Sequence, residues 1–153
     1  MKSKVEKSPQ LLFENQICFP LYSAANAVVR AYRPLLESLD LTYLQYMVMM
    51  VLWQERELSV GDLGQRLRLD SGTLTPLLKR LEGKGYVTRS RGEKDERVRV
   101  IAITRQGMAL RARAGDIPVQ LACTIGLPEV KGRALKTLCQ EILDALENSQ
   151  EVD

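Results

Sequence analysis

The side chains best suited to redox chemistry in this 153-residue chain are three cysteines, Cys18, Cys123 and Cys139. Their odd number and wide spacing argue against a structural disulfide framework and against a close-spaced metal site. The sequence has no histidine, which argues against hydrolytic triads and most zinc chemistry. We therefore expect no metal, no cofactor and no enzymatic activity. Isolated cysteines on apolar segments are more often inert core residues, and composition alone favours that interpretation.

A second chemistry, contact with nucleic acid, is indicated by how charge is distributed. Residues 59–105 hold eleven basic and six acidic side chains, whereas residues 1–58 are balanced and residues 106–153 carry a net charge of −2. A local positive excess is what phosphate binding requires. A solvated charged face is the alternative, and charge alone does not separate the two.

Within that stretch, one predicted helix begins at Asp70-Ser71 and runs to about Lys84. Its leucines have the spacing of a face packed on a core; they are Leu74, Leu77, Leu78 and Leu81. The residues predicted to face DNA are Ser71, Gly72, Thr73, Thr75, Pro76, Lys79 and Arg80. Small hydroxyl residues at a helix N-terminus can meet base edges and phosphates, and the two cations are better placed for phosphates. An ordinary capped surface helix is the alternative.

The charged loop from Ser90 to Arg97 is predicted to be the tip of a β-hairpin wing. Its candidate DNA contacts are Arg91, Lys94, Asp95 and Arg97. Arginine can enter a narrow minor groove, where the negative potential is strongest, while a nearby aspartate fixes its guanidinium. We assign these roles to Arg97 and Asp95, although a loop that is merely hydrophilic could have the same composition.

The periodicity and capping signals predict the elements that must position these residues. They are a turn or short helix over 10–17, helices from Phe19 to Leu39 and from Tyr43 to Glu55, a short strand at Leu58, a helix from Val60 to Leu67, the helix after Asp70, strands at 86–89 and 98–103, a helix from Arg105 to about Ile117 with a kink at Pro118, and a last helix opened by Pro128. The predicted caps are Thr42, Ser59 and Thr104. The predicted buried stripe of the helix from Tyr43 is Leu44, Met47, Val48, Val51 and Leu52.

These elements predict a mainly α fold with a small β-hairpin wing, in a single domain spanning 1–153. Residues 43–104 would form the winged helix-turn-helix, and residues 9–40 and 105–148 would supply dimerisation helices. A homodimer is expected, because two DNA-binding regions related by a two-fold axis can each contact one half-site of a palindromic double-stranded operator. The sequence contains neither a membrane-spanning apolar run nor a signal peptide, so we expect a cytoplasmic protein.

Two blocks of sequence resemble a known family. Residues 69–82 with Gly85, Thr88-Arg89 and Asp95-Glu96-Arg97 resemble the MarR family of winged-helix repressors. Residues 14–19 and 39–46 are similar to the organic hydroperoxide sensors of that family, the OhrR type. The resemblance covers roughly residues 12–118.

The resemblance implies a dimeric repressor that leaves DNA when an organic hydroperoxide oxidises Cys18. It also implies that Tyr32 and Tyr43 hydrogen-bond this thiol across the dimer interface, and that Cys123 forms an intersubunit disulfide, with Cys139 the other candidate. The residues agree, because a thiol near a helix N-terminus favours the thiolate that peroxides attack. Its neighbours Ile17 and Phe19 suit an alkyl or lipid hydroperoxide.

Two other functions stay open. One is a MarR-type regulator released by a small apolar or phenolic ligand, with Cys18 structural. The other is a thiol peroxidase, which would need catalytic turnover with a recycling reductant and which no resemblance supports.

Overall fold

The computed structural model describes residues 8–92 and 97–150. Its helices are α1 Cys18–Glu37, α2 Tyr43–Glu55, α3 Val60–Leu67, α4 Ser71–Gly83, α5 Arg105–Ala114, α6 Ile117–Ile125 and α7 Glu129–Gln150. Its strands are β1 Glu57–Ser59, β2 Val87–Arg91 and β3 Arg99–Ile103. The predicted fold class, mainly helical with a small hairpin wing, is confirmed. The chain divides into two compact units, residues 1–115 and 116–153, which we describe separately.

In the first unit, α2–α4 and the three strands form what we call the winged module, residues 43–104. The antiparallel sheet has the order β1-β3-β2, so β3 is central and the short strand predicted at Leu58 pairs with it through Ile101. Helix α2 contacts α1, α3, α4, α5, β1 and β3. The core of the unit therefore surrounds α2.

The predicted buried stripe of α2 is partly wrong. Val48, Val51 and Leu52 are buried, but Leu44 is 39% exposed and Met47 is only half-buried. The helix also buries residues outside the predicted stripe, and these are Gln45, Tyr46, Met49 and Trp53. A helix enclosed on several sides has no single apolar stripe, so a one-face pattern describes it poorly.

Four helices of the first unit begin at side-chain caps that the sequence predicts. Thr42 forms a capping box with Gln45, and the side chains of Ser59, Asp70 and Thr104 each accept a backbone N–H at the third position of their helix. These bonds satisfy donors that a helix start otherwise leaves unpaired. They fix where α2, α3, α4 and α5 begin.

Helix α1 follows two short 3-10 turns, Pro9–Leu11 and Phe13–Asn15. It begins at Cys18, one residue before the predicted start, and Pro20 is its third residue. A proline in the first turn lacks an N–H that has no intrahelical partner anyway. Pro20 is therefore compatible with one continuous helix that starts at the thiol.

The turn from α1 to α2 is bound to residues that follow α4 and to α5. The carbonyl oxygen of Ser38 accepts from Arg113, that of Leu39 accepts from the Tyr86 hydroxyl at 3.4 Å, and that of Asp40 accepts from Lys84. Lys84 also pairs with the Asp40 carboxylate at 3.0 Å. Three successive carbonyls at a helix C-terminus, where the helix dipole favours cations, are thus satisfied by the winged module and α5.

Helix α5 lies against the start of the wing at a position that requires glycine. A Cβ built on Gly107 would come within 2.1 Å of the Tyr86 carbonyl oxygen. The Gly107 carbonyl oxygen accepts a hydrogen bond from Trp53 Nε1 at 2.9 Å. This close approach joins α2, α5 and the beginning of β2.

The prediction of one helix from Arg105 to Ile117 is wrong at its C-terminal end. Helix α5 ends at Ala114, and a separate helix, α6, begins at Ile117 with Pro118 as its second residue. Pro118 has no N–H to donate to the carbonyl of Ala114, so the helical ladder is interrupted there. No helix among the residues that the structure describes is long and apolar enough to cross a membrane.

Helix α7 is 22 residues long and carries a row of exposed apolar side chains. The row consists of Val130, Leu135, Leu138, Ile142, Leu143 and Leu146, each at least 39% exposed. Monomeric proteins seldom expose contiguous apolar surface of this extent.

Candidate DNA-binding surface and thiol site

Helix α4 has one buried face and one exposed face. Its four predicted core leucines are buried, with exposed fractions between 0% and 6%. The residues predicted to face DNA are all exposed on the opposite side, and they are Ser71, Gly72, Thr73, Thr75, Pro76, Lys79 and Arg80. The arrangement leaves the polar and cationic side of α4 open to a groove.

The N-terminus of α4 is held by Asp70. Its Oδ1 accepts the Thr73 N–H at 2.8 Å, and its Oδ2 accepts the Thr73 hydroxyl at 2.9 Å. These bonds to Thr73 lower the pKa of Asp70 from its ordinary value, because they stabilise the carboxylate. A Cβ on Gly72 would lie 3.0 Å from the same carboxylate, so a small residue suits this turn.

The wing is the hairpin of β2 and β3, in which Arg91 pairs with Arg99. Arg91 and Arg97 are both exposed, as DNA contact requires. Lys94 and Asp95, which were predicted to contact DNA and to orient Arg97, lie outside the described residues.

The structure adds a pair of residues to this surface that sequence reasoning missed. Arg89 Nε on β2 donates a hydrogen bond to Glu82 Oε2 on α4 at 2.7 Å, and Arg89 Nη2 forms an ion pair with the same oxygen at 2.7 Å. Both residues line a cleft of about 330 Å³ between α4 and the hairpin, together with Thr75 and Arg99. Strand alternation offered a signal, because residue 89 shares a face with buried Val87.

Cys18 is the first residue of α1 and is exposed. Ile17 and Phe19 on either side are 78% and 46% exposed, and the Phe19 ring lies 4.4 Å from that of Phe13. The thiol therefore stands at a helix N-terminus among exposed apolar side chains. An inert core cysteine would instead be buried.

Tyr32 and Tyr43 belong to an aromatic cluster. Their ring centroids are 4.8 Å apart, and the Tyr46 ring, which sequence reasoning missed, lies 5.7 Å from that of Tyr32. Burial raises the pKa of all three phenols, and neighbouring phenols add to the effect at Tyr32 and Tyr46. These tyrosines accordingly keep their O–H donors at neutral pH. The spacing of residues 43 and 46 on one helix face could have indicated the third member.

One chain does not bring Cys18 and Tyr32 together. They are fourteen residues apart on the continuous helix α1, which corresponds to about 21 Å along its axis. A hydrogen bond between them therefore needs a second chain.

The other two thiols lie in the second unit. Cys123 is exposed on α6, where it lines an apolar groove with Val119 and Leu127. Cys139 is half-buried on α7. All three cysteines are free thiols.

Comparisons with known proteins show the family to which this chain belongs. Residues 30–113 match the family described as transcriptional regulator SarA/Rot. The chain is also similar to the organic hydroperoxide resistance transcriptional regulator of Bacillus subtilis strain 168, with 42% identity over 141 residues, covering 92% of this chain and 94% of that protein. The chain belongs to the MarR-like winged-helix transcriptional regulators. The resemblance to organic hydroperoxide sensors is confirmed, and the protein is a DNA-binding transcriptional regulator.

Solved structures of AbfR, a protein of Staphylococcus epidermidis, share this fold. Reduced AbfR bound to DNA matches with a TM-score of 0.78 and 30% identity, covering 93% of this chain and 97% of that chain. Disulfide-formed AbfR matches with a TM-score of 0.61 and 31% identity, covering 95% and 97%. AbfR has therefore been seen both on DNA in a reduced form and with a disulfide.

Proposed function

We propose that this regulator is a homodimeric repressor that senses organic hydroperoxides through Cys18 and releases its palindromic operator when that thiol is oxidised. The observation that carries the proposal is the position of Cys18, exposed at the first residue of α1 between exposed Ile17 and Phe19. The similarity to an organic hydroperoxide resistance transcriptional regulator and to AbfR, which has been solved with a disulfide, supports it. The protein acts as a stoichiometric sensor and not as an enzyme.

A homodimer explains two features that one chain leaves without a role. The phenols of Tyr32 and Tyr43 keep their donor protons, yet Tyr32 is separated from Cys18 of its own chain by about 21 Å along the axis of α1. The row of exposed apolar side chains on α7 needs a covering surface. A second copy supplies tyrosine donors to each Cys18 and apolar surface to each α7.

The proposed chemistry has two steps. The Cys18 thiolate attacks the terminal oxygen of the hydroperoxide, the O–O bond breaks, and the alkoxide leaves and is protonated to the alcohol. The sulfur, oxidised to sulfenic acid, is then attacked by the Cys123 thiolate of the other subunit, which forms the S–S bond, breaks the S–O bond and releases hydroxide, which is protonated to water. Phenol donors stabilise the thiolate and hold the peroxide oxygen near it.

Disulfide formation connects oxidation to DNA release. Bonding Cys18 at the start of α1 to Cys123 on α6 of the partner constrains both elements at once. A rigid helix moves as one body when one end is constrained. Movement of α1 or α6 would then change the distance and orientation between the two α4 helices on DNA.

The experiment is an operator gel shift with increasing organic hydroperoxide, using wild type, Cys18→Ser and, as the matched control, Cys139→Ser. We expect all three reduced proteins to bind the operator. Wild type and Cys139→Ser should release it at stoichiometric peroxide, and Cys18→Ser should not. Release of Cys18→Ser at the same peroxide concentration would overturn the proposal and would favour a regulator that responds to a small ligand.

A separate measurement tests the second cysteine. Non-reducing mass analysis of oxidised wild type should show a Cys18–Cys123 crosslinked dimer, and Cys123→Ser should stop at sulfenic acid or at a mixed disulfide with added thiol. A crosslink to Cys139 instead would move the resolving role to α7.

A further inference from the structure

We propose that the cleft between α4 and the β2–β3 hairpin seats one phosphate of the DNA backbone. Arg89, Arg99 and the Thr75 hydroxyl would bind the phosphate, and Glu82 would position Arg89. The inference depends on DNA binding and is independent of sensing by Cys18.

The strand register places both arginines on the side of the hairpin that faces α4. Val87 pairs with Ile103, Arg89 with Ile101, and Arg91 with Arg99. Paired residues and alternate residues share a face of a sheet. Because Val87 and Ile101 are buried on that face, Arg89 and Arg99 continue it toward the loop that connects the two strands.

The opposite wall of the cleft comes from one face of α4. Thr75, Leu78 and Glu82 are spaced at three and four residues, so they lie in a row along the helix. Leu78 forms the floor because it is only 1% exposed. The volume of about 330 Å³ is large enough for a phosphate group with accompanying water.

Glu82 fixes Arg89 in this cleft through two hydrogen bonds and an ion-pair contact. Glu82 Oε2 accepts from Arg89 Nε at 2.7 Å, and Oε1 accepts from the Arg89 backbone N–H at 3.2 Å. The Nη2 atom of Arg89 lies 2.7 Å from Oε2. The guanidinium has five N–H donors, so three remain for an acceptor in the cleft. The pair is about one-third exposed, where ion pairs add little to stability, and a positioning role accounts for the geometry better.

Phosphate is the ligand that this set of groups favours. Guanidinium groups match phosphate oxygens with paired N–H donors, and a threonine hydroxyl is a common backbone contact. Thr75 belongs to the exposed face of α4 that meets the groove. A backbone phosphate bordering that groove is therefore the nearest anion.

The test measures affinity for an operator duplex and for an unrelated duplex over a range of salt concentrations. Neutralising one phosphate contact lowers the slope of log K against log salt by about 0.9. Because both arginines contact the same phosphate, we expect this reduction in the double variant Arg89→Gln/Arg99→Gln and a smaller reduction in each single variant, with equal loss on both duplexes. Arg133→Gln is the matched control, because Arg133 pairs with Glu129 on α7 at 3.2 Å. An unchanged slope in the double variant would overturn the proposal.

Two further variants separate positioning from support of the fold. Arg89→Lys should keep the salt slope and lose part of the affinity, because lysine keeps the charge but not the paired donors. Glu82→Gln should weaken binding a few-fold at fixed salt without changing the slope, and this loss should disappear when Arg89 is already glutamine. Additive losses, or equal melting shifts in place of affinity changes, would show that Glu82 only supports the wing.

Discussion

The winged module and the outer helices use apolar residues in opposite ways. In α4 the core leucines are at most 6% exposed, whereas Ile17 before α1 is 78% exposed and Leu146 on α7 is 58% exposed. The winged module therefore completes its core within one chain. The outer segments leave large apolar side chains exposed. In the proposed dimer, DNA contact and sensing would therefore depend on the second chain to different extents.

The largest effect is expected from a substitution that leaves a cavity in the core of the winged module. Leu78→Ala should lower the free energy of unfolding by about 2–5 kcal/mol, the range for removing a buried leucine side chain. Chemical denaturation measures it, with Leu127→Ala as control because Leu127 is 46% exposed. A cost no larger than that of the control would contradict the contrast between the two regions.

A charge on α7 should dissociate the proposed homodimer without unfolding the winged module. Leu138→Asp removes an apolar contact twice in a symmetric dimer and should raise the dissociation constant on the order of 100-fold. Sedimentation measures the change, and circular dichroism checks the helix content. Lys136→Asp, at an exposed polar position of the same helix, is the control. Dimers of unaltered affinity would show that α7 is covered in some other way.

A smaller effect, on the rate of Cys18 oxidation, should distinguish Tyr43 from Tyr46. Tyr43→Phe removes a donor proposed to act on the thiolate of Cys18, and oxidation by hydroperoxide should slow by about tenfold, as for loss of a hydrogen bond to a charged group. Tyr46→Phe makes the same chemical change at a side chain that is 1% exposed, and it should leave the rate unchanged. Stopped-flow measurement of thiol loss compares the two. Equal rates in both variants would remove the tyrosines from the mechanism.

The smallest effect concerns the cap of α4. The pKa of Asp70 is lowered from 3.8 in the folded chain, so its contribution to stability is present above that value and is lost as the pH falls through the lowered pKa. Asp70→Asn keeps an acceptor for the cap but does not titrate. The difference in melting temperature between wild type and this variant should shrink on acidification from neutrality. A constant difference would mean that the carboxylate charge has no role there.

The sequence predicted those parts of the fold that depend on local signals. The caps Thr42, Ser59, Asp70 and Thr104 and the leucine face of α4 are read from neighbouring residues, and the structure agrees. The exposed side of α2 was mispredicted because burial there depends on partners distant in sequence. The end of α5 was also wrong, since Pro118 was taken to kink a helix that it divides.

At the candidate sites, too, the sequence predicted the features that depend on neighbouring residues and missed those that depend on packing between elements. The exposed residues of α4 lie where the helix periodicity predicts. The cleft between α4 and the hairpin was not predicted. Strand alternation places residue 89 on the face of Val87, but the contact of Arg89 with Glu82 arises only because β2 packs beside α4. The membership of Tyr46 in the tyrosine cluster was also missed, because its contact with Tyr32 arises from the packing of α1 on α2.

The binding of the Ser38, Leu39 and Asp40 carbonyls to Arg113, Tyr86 and Lys84 has one further consequence. Lys84 directly follows α4, so we expect a rotation of α1 to reach the end of that helix without any change inside the winged module. Successive major grooves on one side of B-DNA repeat at about 34 Å. In the proposed dimer, two α4 helices displaced from this repeat by a few ångströms would fit at one half-site only, and each subunit would then bind DNA with its own weak affinity alone.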